Sequence, residues 1–125
     1  MSKIKVNLKE ELRADITVGP HRLIADESKE NGGTDAGPNP YSYLVSALGA
    51  CTAMTLKMYA KHKSWPLKEV TVELEHSKVE GKDHISRRMT LTGDLSEEQI
   101  TRLKEIAQKC PLYKTLTTGT VIEDL

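Results

Sequence analysis

One long uncharged segment in the middle of the chain constrains the fold more than any other feature. No charged residue occurs between Asp35 and Lys57, and residues 47–60, ALGACTAMTLKMYA, are the most apolar stretch of the sequence. Apolar residues recur there at the spacing of one helix face: Leu44, Ala47, Leu48, Cys51, Met54 and Met58. The other sides also carry apolar residues: Val45, Ala50, Ala53 and Leu56. A helix that is apolar nearly all round is expected to be buried on nearly all sides.

The ends of this predicted helix can be read from the sequence. Pro40 is acceptable as a first helical residue, and either Asn39 or Ser42 can cap it. Polar residues return at KHKSWP, and Pro66 closes the element. The apolar part is shorter than a bilayer-spanning helix requires, so we expect no membrane association.

The chain has limited apolar surface with which to cover such a helix. Of its 125 residues only 4% are aromatic, with no Phe and one Trp, so the core must consist of Leu, Ile, Val, Ala and Met. This length predicts a single domain over residues 1–125. Because the central helix needs more cover than one chain offers, we expect a dimer.

Charge gives no reason to expect a nucleic acid or an acidic membrane as a partner. The 18 Lys and Arg residues balance the 18 Asp and Glu residues. The N-terminus, MSKIKVNLKEELR, is charged and lacks the continuous apolar run of a signal peptide. We therefore expect a soluble, cytoplasmic protein, in which a pair of cysteines indicates catalysis or redox sensing rather than a permanent disulfide.

The first third of the chain is predicted to be β-structure. Apolar and polar residues alternate over residues 4–8, 14–18 and 22–25, and Gly19-Pro20 is a strong turn signal between the last two. Residues 26–40 form a long polar connection rich in Gly and Pro. A loop of this length in a compact domain is often functional.

After the central helix the pattern predicts a hairpin and then a second helix. Residues 70–75 and 84–93 alternate as strands around a turn at 80–83. Ser96 caps the second helix, with Gln99 three residues later completing a capping box.

The C-terminal residues are predicted to form a short turn, or a single helical turn, followed by a final strand over residues 120–125. The resulting order, βββ-α-ββ-α-β, is neither an alternating βαβ array nor a repeat. It predicts an α+β fold with an antiparallel sheet covering the central helix.

The two cysteines differ in their expected environments. Cys51 lies in the middle of an apolar helix, where burial raises the pKa of a thiol unless a cation opposes it. Cys110 follows Lys109 and precedes Pro111, so it is expected to face unpaired N–H groups that favour the thiolate. Free cysteines are also common packing residues, and the pattern alone leaves that alternative open for both.

Other chemistry finds little support in the sequence. His76 and His84 can face each other across the predicted hairpin, but no further ligand completes a tetrahedral site, so we predict no metal. The glycines at 32–33 match neither a phosphate loop nor a dinucleotide fingerprint, and no Ser-centred elbow is present. No cofactor is expected.

Two stretches of the sequence resemble the OsmC/Ohr family, and specifically its OsmC-like branch. The first is GGTDAGPNPYSYLVSALGACTAMTLKMYAKHKSWPLKEVTVELEH, and the second is CPLYKTLTTGTVIEDL; the resemblance spans residues 12–125. It implies an OsmC-like fold and an intertwined homodimer, in which two long central helices pack between sheets built from both chains. Such a dimer accounts for a helix that is apolar on all sides.

The resemblance also implies a thiol-dependent reduction of hydroperoxides, often organic ones, as a defence against oxidative stress. Carried over to this sequence, Cys51 is the peroxidatic thiolate and Cys110 the resolving thiol. Cys51 becomes a sulfenic acid and condenses with Cys110 to a disulfide. A dithiol reductant then restores both cysteines.

Two further family positions are less clear in this chain. The resemblance implies an Arg from the N-terminal β region beside the peroxidatic cysteine; Arg13 is the first choice and Arg22 its rival. It also implies a Glu near the start of the central helix, where this sequence has Tyr41 and Ser42. Their side chains can supply a neutral hydrogen bond, and the loop carboxylates, Glu30 and Asp35, are candidate substitutes.

Two alternatives to an enzyme remain at this stage. An OsmC-like domain can act without turnover, binding an apolar or thiol-bearing ligand between subunits or sensing redox state through the same cysteines. Alternatively, both cysteines are packing residues in a dimeric module that performs no chemistry.

Overall fold

The computed structural model describes residues 3–125. The fold is α+β, with two antiparallel sheets and three α-helices among these residues, which confirms the predicted class. The chain divides into two compact units, one ending at Leu44 and one running from Val45 to Leu125. The single domain over residues 1–125 stays a prediction.

The first unit contains a three-stranded antiparallel sheet in the order β1-β2-β3. Its strands are β1 (Ile4–Leu8), β2 (Ala14–Val18) and β3 (His21–Ala25), as the alternation predicted to within one residue. Gly19 adopts a φ of 56° between β2 and β3, a conformation that glycine reaches without steric cost. The turn signal therefore sets the register that pairs Val18 with His21.

The long connection after β3 is organised around one buried carboxylate. Asp26 is 2% exposed, and its Oδ2 accepts hydrogen bonds from the Thr34 hydroxyl (2.7 Å) and from the backbone N–H groups of Thr34 (3.2 Å) and Ala36 (3.1 Å). Its Oδ1 accepts from the N–H of Glu27 at 2.8 Å. The bond from the Thr34 side chain is the largest of the effects that lower the pKa of Asp26 to about 2. The loop is therefore an ordered segment whose N–H groups and Thr34 hydroxyl surround the Asp26 carboxylate.

Two glycines allow this loop to close. A Cβ on Gly33 would lie 2.1 Å from the carbonyl oxygen of Glu27, and one on Gly37 would lie 2.3 Å from that of Ile24. Real Cβ atoms do not approach a backbone oxygen so closely, so both positions require glycine. The Tyr43 hydroxyl donates to the same Ile24 carbonyl at 2.5 Å.

The central helix, α1 (Pro40–His62), has 23 residues. Asn39 is the cap: its Oδ1 accepts the N–H of Ser42 at 2.8 Å, which settles the choice between the two capping candidates. Its end is marked by Ser64 with a φ of 58° and then by Pro66. No helix in residues 3–125 is both long enough and apolar enough to cross a membrane.

A long hairpin follows, built from β4 (Leu67–Val79) and β5 (Lys82–Gly93). Its two turn residues, Glu80 and Gly81, both have positive φ values, of 51° and 77°, as a tight hairpin turn requires. Glycine also allows the hairpin to approach α1, because a Cβ on Gly49 would lie 2.7 Å from Leu74 Cδ1.

The second helix, α2 (Glu97–Ile106), begins as predicted. The Ser96 side chain accepts the N–H of Gln99 at 3.1 Å, and the Gln99 side chain accepts the N–H of Ser96 at 2.9 Å. Its buried face packs with α1 and the start of β4 in one core cluster: Leu56, Ala60, Leu67, Leu103, Ile106 and Ala107. Lys57 ties the same elements together, since its Nζ donates to the Leu67 carbonyl oxygen at 2.7 Å.

The C-terminal end differs from its prediction. The expected short turn or single helical turn is a helix of 8 residues, α3 (Pro111–Thr118). The expected final strand is absent from the described chain, where residues 119–125 have no regular structure. Val121 and Ile122 are 87% and 84% exposed. Alternating residues form a strand only where another strand supplies backbone partners, and residues 3–118 supply none to this segment.

The buried face of α1 is also not the one that the spacing predicted. Its line of burial runs through Leu48, Thr52, Leu56 and Ala60. In contrast, Met54 is 64% exposed and Met58 is 71% exposed. Apolar residues on every side of the helix made the choice of face ambiguous, and the hairpin and α2 cover only one side.

Candidate functional site

The two cysteines meet inside the second unit. Cys51 lies in the middle of α1 and is half-buried, whereas Cys110 is fully buried at the residue that precedes α3. Both are free thiols, and the two side chains are hydrogen-bond partners. The sequence suggested a redox pair, and the family resemblance gave each cysteine its role; the structure places the two thiols close together.

Local sequence explains the position of Cys110. A short 3₁₀ helix over Ala107–Lys109 tightens the end of α2, and Pro111 then starts α3 at a position where the missing N–H is harmless. Cys110 is the residue between these helices, with a φ of −56° and a ψ of 128°. Its N–H reaches the Ala107 carbonyl oxygen at 3.4 Å.

The two thiols have opposite acid–base tendencies. Burial raises the pKa of Cys51, and its hydrogen bond with Cys110 raises that pKa further. Burial also opposes ionisation of Cys110, but the Cys51 thiol, the N–H groups of Tyr113 and Leu112, and the Thr52 side chain together lower its pKa. Burial acts on Cys51, and N–H groups at the start of α3 act on Cys110, as expected, and the contact between the two thiols adds to the difference. Of the two thiols, Cys110 is therefore the one that loses its proton more readily.

A cation that sequence reasoning did not select lies beside this pair. Arg87 Nη1 donates to the Thr52 hydroxyl oxygen at 2.9 Å and to the Ala107 carbonyl oxygen at 3.3 Å. The guanidinium carbon is also 4.9 Å from the centroid of the Tyr113 ring, a cation–π distance. These three partners come from α1, from the end of α2 and from α3.

The strand pattern contains a signal that points to Arg87. Side chains along β5 alternate between the faces of the sheet, and the half-buried positions are Ile85, Arg87, Met89 and Leu91. Arg87 is the charged member of this otherwise apolar set, and it pairs with Leu74 across the hairpin. A charge in an inward register position requires a buried partner, which the sequence alone did not name.

The residues expected to assist Cys51 lie in the first unit. Arg13 Nε is 4.0 Å from Asp15 Oδ1, and both side chains are more than half exposed, at 54% and 57%. Arg22 is exposed on β3. Whether Arg13 or Arg22 contacts Cys51 stays a prediction.

The carboxylate replacements also stay untested. Glu30 is exposed in a 3₁₀ turn over Lys29–Asn31, and Asp35 has a φ of 57° within the Asp26 loop. Tyr41 and Ser42 are exposed in the first turn of α1.

Metal ligands do not converge in the part of the chain that the structure describes. No group of three or more His, Cys, Asp or Glu side chains there is placed to hold an ion. His76 Nε2 lies 3.0 Å from Asp83 Oδ1, and the hairpin register sets His84 opposite Ser77.

Comparison with known proteins identifies what this arrangement is similar to. The family model described as OsmC-like protein matches residues 32–123. No curated protein matches the sequence significantly.

Several solved structures share the fold. An OsmC-like protein from Mycoplasma pneumoniae superposes with a TM-score of 0.79 at 20% identity, covering 94% of this chain and 87% of that one. An organic hydroperoxide resistance protein OsmC from Legionella pneumophila gives 0.71 at 20% identity, with coverages of 93% and 88%. The organic hydroperoxide resistance protein OhrB of Bacillus subtilis gives 0.65 at 22% identity, with coverages of 97% and 93%.

Proposed function

The chain belongs to the OsmC-like protein family, and on that premise we propose that it is a cysteine-based peroxidase that reduces organic hydroperoxides. The observation that carries this proposal is the contact between two free thiols of opposite acid–base tendency. Two structural neighbours are named as organic hydroperoxide resistance proteins, which supports the same substrate class.

The difference in exposure favours Cys51 as the thiol that meets the peroxide. Cys51 is half-buried, whereas Cys110 is 0% exposed. The Cys51 sulfur attacks the terminal oxygen of the hydroperoxide. An S–O bond forms between these two atoms as the O–O bond breaks. The products are a Cys51 sulfenic acid and an alcohol.

Cys110 completes the oxidative half of the cycle. Its sulfur attacks the Cys51 sulfenic sulfur, a disulfide forms, and hydroxide leaves to become water with a proton from solvent. A dithiol reductant then attacks the Cys51–Cys110 disulfide, takes up the oxidation as its own disulfide, and returns both thiols. We propose that Arg13, in the N-terminal region, assists Cys51. The raised pKa of Cys51 calls for a nearby cation that favours the thiolate.

We include a homodimer in this proposal. Met54 and Met58 expose one apolar side of α1, and Val121 and Ile122 are exposed in the C-terminal segment. Large apolar side chains of this kind usually mark an interface when they are contiguous. The proposal also includes action in the cytoplasm, where a dithiol reductant is present.

A peroxide titration tests this function directly. The reduced protein is mixed with an alkyl hydroperoxide and a dithiol, and both peroxide and free thiols are followed over time. We expect catalytic consumption of peroxide and loss of two thiols per chain when the dithiol is omitted. Cys51→Ser should abolish turnover, and Cys110→Ser should stop at an oxidised Cys51 that a sulfenic-acid reagent traps. An unreactive Cys51 in the native protein would refute the proposal.

A redox-sensing or ligand-binding module is the second candidate. The absence of a carboxylate at the first turn of α1, where the sequence has Tyr41 and Ser42, favours it together with the raised pKa of Cys51. In that case peroxide converts the pair to a disulfide once, without turnover in the presence of the dithiol.

A further inference from the structure

We propose that Arg87 is a positioning residue for the thiol pair, holding Cys110 in a setting where it receives the Cys51 proton and then acts as the resolving nucleophile. This inference rests on the proposed function, which assigns the two thiols their roles. It adds a residue, on β5, that neither the family resemblance nor the sequence pattern assigned.

One guanidinium joins the two sides of the pair. On the Cys51 side, Arg87 Nη1 binds the hydroxyl of Thr52, the next residue of α1, at 2.9 Å. On the Cys110 side, the same nitrogen binds the Ala107 carbonyl oxygen at 3.3 Å, and that oxygen also accepts the N–H of Cys110. Because α1 and the α2–α3 junction hold one cysteine each, a shared donor fixes their separation.

The third contact orients the start of α3. Arg87 lies over the Tyr113 ring at 4.9 Å, and the N–H of Tyr113 is one of the groups that stabilise the Cys110 thiolate. The Cys110 side chain makes no capping hydrogen bond to α3, so ionisation of its sulfur depends on the placement of these N–H groups. Holding the Tyr113 side chain limits the movement of its backbone.

Thr52 adds a directional argument. Its hydroxyl is fully buried and has a single hydrogen, which is donated to the Leu48 carbonyl oxygen at 2.7 Å. The hydroxyl oxygen already accepts from Arg87, and the Thr52 side chain also helps to lower the pKa of Cys110. When Cys110 is ionised, the hydroxyl hydrogen can turn from Leu48 to the sulfur while the Arg87 bond stays in place. Arg87 therefore polarises a donor that responds to the charge on Cys110.

Arg87 acts on Cys110 through the groups that it contacts: the Thr52 hydroxyl, the Ala107 carbonyl oxygen and the Tyr113 ring. Thr52, Cys51 and the N–H groups of Leu112 and Tyr113 lower the pKa of Cys110. Lys109 adjoins it in sequence but is exposed. Glu73, Glu75 and Arg88 line one surface cavity with Arg87.

The proton and electron movements follow from this placement. As Cys51 attacks the hydroperoxide, its thiol proton passes to the Cys110 thiolate and from there to the leaving alkoxide, which becomes the alcohol. Cys110 is then a thiolate again, and its electron pair forms the S–S bond as hydroxide leaves Cys51. The peroxide is the oxidant, and both electrons come from the two thiols.

The test separates ionisation of Cys110 from peroxidase activity. In a Cys51→Ser background, Cys110 is the remaining cysteine, and the ultraviolet absorbance of its thiolate is titrated against pH without any peroxide. Arg87→Gln should raise the titration midpoint by about one pH unit, because the Thr52 hydroxyl and the Tyr113 N–H, which favour the thiolate, lose the contacts that hold them. Arg87→Lys should recover part of the shift. The matched control is Arg88→Gln, the next residue of β5, whose side chain is exposed.

A second pair of variants guards against a folding defect in Arg87→Gln. Thr52→Val removes the hydroxyl and Thr52→Ser keeps it, and circular dichroism verifies the fold of each variant. Only Thr52→Val should raise the midpoint. In the protein with both cysteines, Arg87→Gln should slow disulfide formation from the Cys51 sulfenic acid more than it slows the first attack.

Two results would overturn the proposal: a Cys110 midpoint that stays constant in folded Arg87→Gln and Thr52→Val, or an equal shift in Arg88→Gln. Failure of the proposed function would appear differently, as an absence of peroxide turnover in a protein whose Cys110 midpoint still depends on Arg87.

Discussion

The Arg87 guanidinium donates to the Thr52 hydroxyl at 2.9 Å and thereby connects β5 to the helix that carries Cys51. The pairing is half-buried on the arginine side and fully buried on the threonine side. A hydrogen bond from a charged donor to a neutral acceptor is stronger than a neutral one, and its loss inside a core leaves a poorly solvated cation.

Removal of this acceptor should destabilise the protein. We expect Thr52→Val to lower the free energy of unfolding by about 1–3 kcal/mol, because it leaves an Arg87 N–H without its partner. Thr52→Ser keeps the hydroxyl, so its smaller loss reports only the missing methyl group. Urea unfolding of both variants provides the measurement, and equal losses would contradict the role of the hydroxyl.

The Asp26 loop should make stability depend on pH in the acid range. The pKa of Asp26 falls from 3.8 to about 2 on folding, so its contribution is fully present above the unfolded value. That contribution is lost as the pH falls from about 4 through about 2. Across this range, as the pH falls, the free energies of unfolding of the native protein and of Asp26→Asn should approach each other. Asp124→Asn, in the exposed C-terminal segment, should leave the native pH dependence unchanged.

Two glycine substitutions should differ sharply in their effects. Gly33→Ala places a Cβ 2.1 Å from a backbone oxygen, whereas Gly49→Ala places one 2.7 Å from the end of the Leu74 side chain. A side chain can change rotamer but the loop backbone cannot, so Gly33→Ala should cost roughly 1–3 kcal/mol and Gly49→Ala less. Thermal unfolding ranks the two, and the reverse order would show that the Asp26 loop yields more easily than the core.

The capping box of α2 offers a local test of the fold. Ser96→Ala removes the side-chain acceptor for the Gln99 N–H and should cost about 1 kcal/mol. Thr101→Ala, at an exposed position within α2, serves as the control and should be neutral or slightly stabilising because alanine favours helices. A loss in Ser96→Ala no larger than that in Thr101→Ala would contradict the importance of the cap.

If the protein forms the proposed homodimer, a charge on the exposed side of α1 should lower its mass in solution. Met58→Glu introduces a charge at a position that is 71% exposed in one chain, so it should not affect the fold of that chain. If this side packs against a second copy, the burial of an unpaired carboxylate should shift sedimentation toward the monomer. Lys61→Glu changes the charge at an exposed residue one turn later and tests for a general electrostatic effect.

Local signals account for most of the secondary structure. Gly19-Pro20 set the β2–β3 turn, and Ser96 with Gln99 set the start of α2, because each signal acts through backbone groups only a few residues away. The prediction of a final strand was wrong because strand formation is not a local effect. Its alternation describes a strand, but strand formation depends on a partner that is not local.

In the candidate site, too, some properties follow from local sequence and others only from tertiary packing. The sequence by itself predicted that burial in an apolar helix opposes ionisation of Cys51 and that N–H groups at the start of α3 favour the thiolate of Cys110. The tertiary contact between the two thiols adds to both effects, since it raises the pKa of Cys51 and lowers that of Cys110. Only the tertiary structure decided that Arg87 is the cation beside the pair and that Thr52 is its acceptor. A charge in an apolar strand register indicates that some partner exists, but which one depends on how the hairpin packs against α1 and α3, and the chain order does not specify that packing.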